Sequence, residues 1–192
     1  MGGALVLAAL VAVVAMLLVR GPASTAQRRT DFTTMVRTIN SDLAKCNANV
    51  SAAISGWQRV EHGSDSQPRA EKAAQRAAQS CAPSTANAIW QLSLYSVPSS
   101  LLGLRLNYAV SCLGVWAQED VQPAMRAEQI LLHGPGDRHA ATTYRRLAGW
   151  AAGNLASANS TLRRAARRLG VGDFIPIHLT SLAAVGLTLR AR

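Results

Sequence analysis

The sequence predicts an all-α protein, an N-terminal transmembrane or signal helix followed by an antiparallel up-and-down four-helix bundle. Three observations carry this. Apolar residues recur at alternating spacings of three and four along two long stretches, one toward each end of the chain. Pro, Gly and Ser punctuate the pattern at a few short intervals, and no segment shows the period of two that a half-buried strand requires. With 192 residues, 49% of them hydrophobic and 16% charged, the chain is too apolar for disorder and has room for one modest core.

Residues 1–26 read as a signal anchor or signal peptide. Gly2 to Val19 carries no charge, and these eighteen residues at ~1.5 Å each reach ~27 Å, just enough for a bilayer core of ~30 Å. Ser24-Thr25-Ala26 offers the small residues needed for cleavage after Ala26. The flanking charges oppose export: no Lys or Arg precedes the run, whereas Arg20, Arg28 and Arg29 follow it, which favours a cytoplasmic C-terminal side. A basic n-region upstream of a misassigned start codon would reconcile the two. Cut site and cysteines together favour a bundle on the extracytoplasmic side, membrane-bound or secreted.

Residues 27–172 are expected to form the bundle. Phe32, Val36, Ile39, Leu43, Cys46, Val50, Ala53, Trp57 and Val60 make one continuous stripe, so the first helix runs roughly 35 residues and ends near His62-Gly63. Ala141, Tyr144, Ala148, Ala151, Leu155, Ala158, Leu162, Ala165 and Leu169 repeat the spacing and stop at Gly170, a C-cap signal. Between them, Ser66 and Pro68 open an Ala-rich helix that Pro83 should break or kink, with a further piece from about Ser84 to Tyr95. Val97-Pro98-Ser99-Ser100 marks a turn, Leu101 to Trp116 the most buried helix, and the pattern continues past Pro123 to a loop at His133–Asp137. Residues 173–192 form an apolar tail, uncharged from Phe174 to Leu189 but interrupted by Pro176. It is expected to dock on the bundle or on a membrane surface.

A hairpin turning near Ser64 brings Cys46 and Cys81 level, and a second turn near Val97 brings Cys81 and Cys112 level. Two of the three should pair in an oxidising compartment and one should remain a buried thiol; spacing does not choose which. No C-x-x-C, C-x-x-C-H or inward Glu-x-x-His pair is present, so no metal and no cofactor is expected. His133, Asp137 and His139 lie in a loop that reads as solvated. Phosphate-binding Gly loops and a Gly-x-Ser-x-Gly elbow are also missing, and four histidines with four glutamates leave little for general acid–base work. The expectation is a non-enzymatic protein.

Leu162–Val171 resembles the first helix and turn of a bacterial helix-turn-helix. Pro176 then falls where a recognition helix would lie and no base-reading side chains follow, which argues against nucleic acid. Gly149 and Gly153, four apart, have the small-xxx-small form and read as close packing within the bundle.

The formal charge is +10, with 18 arginines among 20 basic residues, a bias that GC-rich bacterial coding explains in part. Coding bias does not explain its distribution. From Gln27 to Gly136 ten basic residues meet eight acidic ones, whereas from Asp137 onward nine arginines meet only Asp137 and Asp173. Arg145, Arg146, Arg163, Arg164, Arg167 and Arg168 all fall off the apolar seam of the last helix. Such a face suits anionic membrane headgroups, an acidic protein or an acidic envelope polymer, although arginines also complement a helix C-terminus. The first functional expectation is therefore a cell-envelope bundle with a binding or structural role. A cytoplasmic-facing, membrane-anchored regulatory or nucleic-acid-associated subunit is the alternative, and an enzyme or small-molecule carrier using the bundle core is the third.

Overall fold

A computed structural model of the chain describes residues 23–90, 99–101, 104 and 106–182. The proposed membrane or signal helix falls almost wholly on residues 1–22, outside that set, as do residues 183–192 of the tail. Among the described residues all regular structure is helical, and no helix is long and apolar enough to cross a membrane.

Helix α1 (Thr25–Glu61) starts where the Ser24 hydroxyl accepts the Gln27 N–H at 3.1 Å, satisfying one of the donors a first turn leaves unpaired. It ends at His62, and Gly63 follows with φ +66°, a left-handed conformation that costs a glycine little. Helix α2 (Gln67–Trp90) runs through Pro83, which therefore does not break it. The reason is positional: Pro83 and Gln79, whose carbonyl loses its usual partner, are both exposed, so water can replace the missing bond.

The third rod is composite. A 3₁₀ turn (Ser99–Leu101) precedes α3 (Asn107–Val115), which passes through a π-helical turn (Trp116–Val121) into α4 (Gln122–His133). The helix expected from Leu101 thus begins at Asn107. Leu101, which closes the 3₁₀ turn, and Leu104 and Leu106 are buried although they lie ahead of α3. Pro123 sits in the first turn of α4, where its missing N–H is tolerated. Helix α5 (Arg138–Leu169) is capped by the Asp137 carboxylate, which accepts the Ala140 N–H at 2.9 Å. It closes on Gly170 at φ +67°, with the Val171 N–H reaching back to Ala166 O.

End-to-end contacts establish the antiparallel order. His133 at the end of α4 lies 3.2 Å from Glu71 near the start of α2. Arg29 near the start of α1 donates to Leu169 O at the end of α5 at 2.6 Å. All nine stripe residues of α1 are buried except Val60, which packs on the core edge, and all nine of α5 are buried except Leu155, which does the same. Cys46 and Cys81 form a disulfide that ties α1 to α2 with Cα atoms 4.6 Å apart, and Cys112 is a buried free thiol.

α1 and α5 pack on each other only sparingly. Residues 171–182 lie along both as a strap without regular structure, so the described part of the tail docks on the bundle.

Candidate functional site

The outward side of α5 is the first candidate. Its inward positions are filled by the Ala/Leu seam, and an α-helix with one seam must turn its remaining side chains to solvent. Arg145, Arg146, Arg163, Arg164, Arg167 and Arg168 are all exposed. The Arg146 guanidinium lies 5.1 Å from the centre of the Trp150 ring, and Arg164 donates to the Thr161 hydroxyl at 3.2 Å. Among the described residues none of the six has an acidic partner. They fall into two groups, one in the first third of α5 and one in its last two turns. Between the groups lie Gly149, Ala152, Gly153 and Ala156, all exposed, with Trp150 standing out among them.

This corrects the expected role of the two glycines. A Cβ placed on Gly149 or Gly153 meets nothing within 4 Å, so neither serves packing inside the bundle. The close approach is elsewhere, at Gly56 of α1, where a Cβ would stand 3.3 Å from Ala70 Cα of α2. Spacing alone could not separate these cases, because small residues recur on both faces of α5.

The second candidate is the strap. Sequence reading missed how it is held. Asn159 of α5 grips a single residue, donating to Ile177 O at 3.0 Å and accepting the Ile177 N–H at 2.8 Å. Asn40 of α1 spans the same residue from the other side, donating to Pro176 O at 3.3 Å and accepting the His178 N–H at 3.4 Å. One turn pair further along α1, Asn47 accepts the Thr180 N–H and the Thr180 hydroxyl, the latter at 2.7 Å. Tyr144 donates to Leu182 O at 3.1 Å. Three side-chain amides and a phenol thus replace the ladder partners an extended backbone would find in a sheet. The Ile177 side chain is buried beneath them. The only sequence signal was that Asn40, Asn47 and Asn159 border the apolar stripes, where a long helix more often places charged residues.

Between α1 and the strap lies an open cleft of about 350 Å³. Phe32 and Val36 supply the helix side, and Phe174 and Ile175 the strap side; the Phe32 and Phe174 rings are 6.4 Å apart. Arg37, Asp173 and His178 stand at its edge. A smaller space of about 250 Å³ lies on the other side of the strap, against Trp116 and α5.

Two buried carboxyls occupy the third rod. Asp120, in the π turn, accepts from Asn154 Nδ2 at 2.7 Å; burial raises its pKa, and the Asn154 hydrogen bond opposes that rise. Glu128 is 1% exposed, and neither carboxyl oxygen has a hydrogen-bond partner among the described residues. Burial pushes its pKa up to about 8, so at neutral pH the carboxyl is largely protonated. Its charge, when present, acts on Tyr144, whose own pKa burial drives far upward. No group of three or more His, Cys, Asp or Glu side chains suited to a metal occurs among the described residues. His133 pairs with Glu71, while His139 and Asp137 belong to the start of α5.

Comparison with family models, curated proteins and solved structures gave no match to this chain. Its function must therefore be read from these surfaces.

Proposed function

We propose that the protein is a non-enzymatic component of the bacterial cell envelope, membrane-anchored or secreted, that engages an anionic partner through the outward face of α5. One observation carries this reading: six arginines stand exposed on one helix, without an acidic partner among the described residues. A stabilising role would use such charges in ion pairs or caps. Arg167 and Arg168 do lie in the last turn, where they complement the helix dipole, but Arg145 and Arg146 lie far from it. The Cys46–Cys81 disulfide suits an oxidising compartment, which supports the extracytoplasmic side. Anionic headgroups of the membrane to which residues 1–26 would anchor the bundle are the nearest partner, and an acidic protein or envelope polymer offers the same charge.

Replacing Arg163, Arg164, Arg167 and Arg168 together by Gln tests the proposal on vesicles containing an anionic phospholipid. The wild-type protein should bind in a way that falls steeply with added salt, and the fourfold variant should bind weakly with little salt dependence. Equal binding by both would show that Arg163, Arg164, Arg167 and Arg168 do not engage anionic headgroups and would reduce them to capping and solubility. A reporter fusion after residue 192 separately tests location: activity of a cytoplasmic reporter, with an inactive alkaline phosphatase in its place, would overturn the extracytoplasmic assignment.

A further inference from the structure

The cleft between α1 and the strap has a lining that selects its occupant. Part of the strap backbone is already committed elsewhere: Asn40 and Asn159 take the polar groups around Ile177, and Asn47 accepts the Thr180 N–H. What remains facing the cleft is mainly hydrocarbon, from Phe32 and Val36 on one wall and Phe174 and Ile175 on the other. A sugar or nucleotide would bury many polar groups against a lining that is mainly hydrocarbon and offers few partners in return. A volume of about 350 Å³ is enough for a slender apolar chain. Ile175, which lines the cleft, is 59% exposed and adds apolar surface beside it.

The opening is not purely apolar. Arg37 of α1 lines it, is exposed and has no ion pair among the described residues. Asp173 is the one carboxylate of the lining, and no ion pair joins it to Arg37, which leaves the guanidinium available to an anion. An apolar trough with a free guanidinium at its mouth fits an amphiphile with one anionic end.

We propose that this cleft binds a single-chain carboxylate amphiphile of the medium-chain fatty acid type. Its hydrocarbon lies between α1 and the strap and its carboxylate meets Arg37. The site is separate from the arginine face of α5 and stands or falls without it.

The test uses the full chain and dodecanoate carrying a photoreactive diazirine, with mass-spectrometric mapping of labelled peptides. Label should concentrate in the peptide containing Val36 and in the strap around Ile175. Unlabelled dodecanoate should displace it, and dodecanol should do so far less well. Arg37→Gln should raise the dodecanoate concentration needed for half displacement by about tenfold while leaving dodecanol unchanged. Ala44→Trp fills the trough from an exposed position of the lining and should abolish labelling of both peptides. Ile175→Asp, which sets a negative charge at the mouth, should do the same if the tryptophan variant fails to fold. Label spread evenly over the chain, labelling that survives both variants, or equal displacement by dodecanol would each overturn the proposal. Loss of vesicle binding by the arginine variant of α5 would leave these results unchanged.

Discussion

α1 and α5 solve the same packing problem and then diverge. Each is more than thirty residues long, each buries a seam with spacings of three and four, and each lends asparagine to the strap between them. Their outward faces differ. α1 carries both signs of charge, and its cations are partly used by the protein itself: Arg28 donates to Ser100 O at 2.6 Å, Arg29 to Leu169 O, and Arg59 pairs with Asp65 at 3.0 Å. α5 has seven arginines and no acidic residue, and its glycines face open solvent. α1 is thus a structural rod, disulfide-linked and closely apposed to α2, whereas the outer half of α5 contributes little to the fold. A surface free of packing duties is one on which charge can accumulate without disturbing the core, although the like charges of Arg163 and Arg167 and of Arg164 and Arg168, four residues apart, still repel.

That contrast can be broken most forcefully at the disulfide. Cys46 and Cys81 are separated by 35 residues, and removing a cross-link of that span costs about 4 kcal/mol in the chain-entropy account. Chemical denaturation of the Cys46→Ala, Cys81→Ala double variant should show a loss of this order. A loss below about 1 kcal/mol would mean that α1 is held by packing alone.

The interior of α4 facing α5 comes next. Glu128 has a folded-state pKa raised to about 8 from 4.5, so the folded protein holds a proton there that the unfolded chain releases above its own pKa. The raised value means that this group costs nothing below about pH 4.5 and that stability falls as pH rises toward 8, by about 3 kcal/mol between pH 5 and pH 8. Unfolding free energies of Glu128→Gln should lack this portion of the pH dependence. A wild-type curve that is level from pH 5 to pH 8 would show that Glu128 finds a counter-charge.

The two sides of the strap should also differ. Asn159 makes short bonds to both polar groups of Ile177, and Asn40 makes longer ones to its neighbours. Asn159→Ala should therefore cost about 2 kcal/mol and Asn40→Ala about 1 kcal/mol, each leaving strap amides unpaired. Hydrogen exchange at Ile177 and His178 would report which clamp fails.

The smallest effect has the sharpest sign. Gly153→Ala on α5 should stabilise by about 0.5–1 kcal/mol, since alanine favours the helix and its methyl meets no neighbour. Gly56→Ala on α1 should destabilise, because its methyl would press on the backbone of α2 at Ala70. Thermal melts of the two variants moving in the same direction would erase the distinction between the helices.

Long-range periodicity made α1 and α5 legible almost residue by residue, including both glycine stops. It served less well in the third rod, where Leu101, Leu104 and Leu106 are buried yet precede α3, because burial and helical conformation leave the same mark on a short run. At the arginine face, exposure followed directly from the seam. The strap clamps were not legible, since an asparagine at the edge of a stripe looks the same whether it meets water or a backbone 138 residues away.

By itself the sequence determined that this chain is helical, where its two longest helices begin and end, that Cys46 and Cys81 lie level, and that its positive charge gathers on one helix. These follow from local rules: periodic burial, caps, rise per residue and charge position. Only the tertiary structure decided that Cys46 pairs with Cys81, that Gly56 rather than Gly149 or Gly153 is the glycine of close helix approach, and that residues 171–182 lie along both α1 and α5. Each of those depends on which residues distant in the chain meet in space, and spacing along the chain does not carry that information.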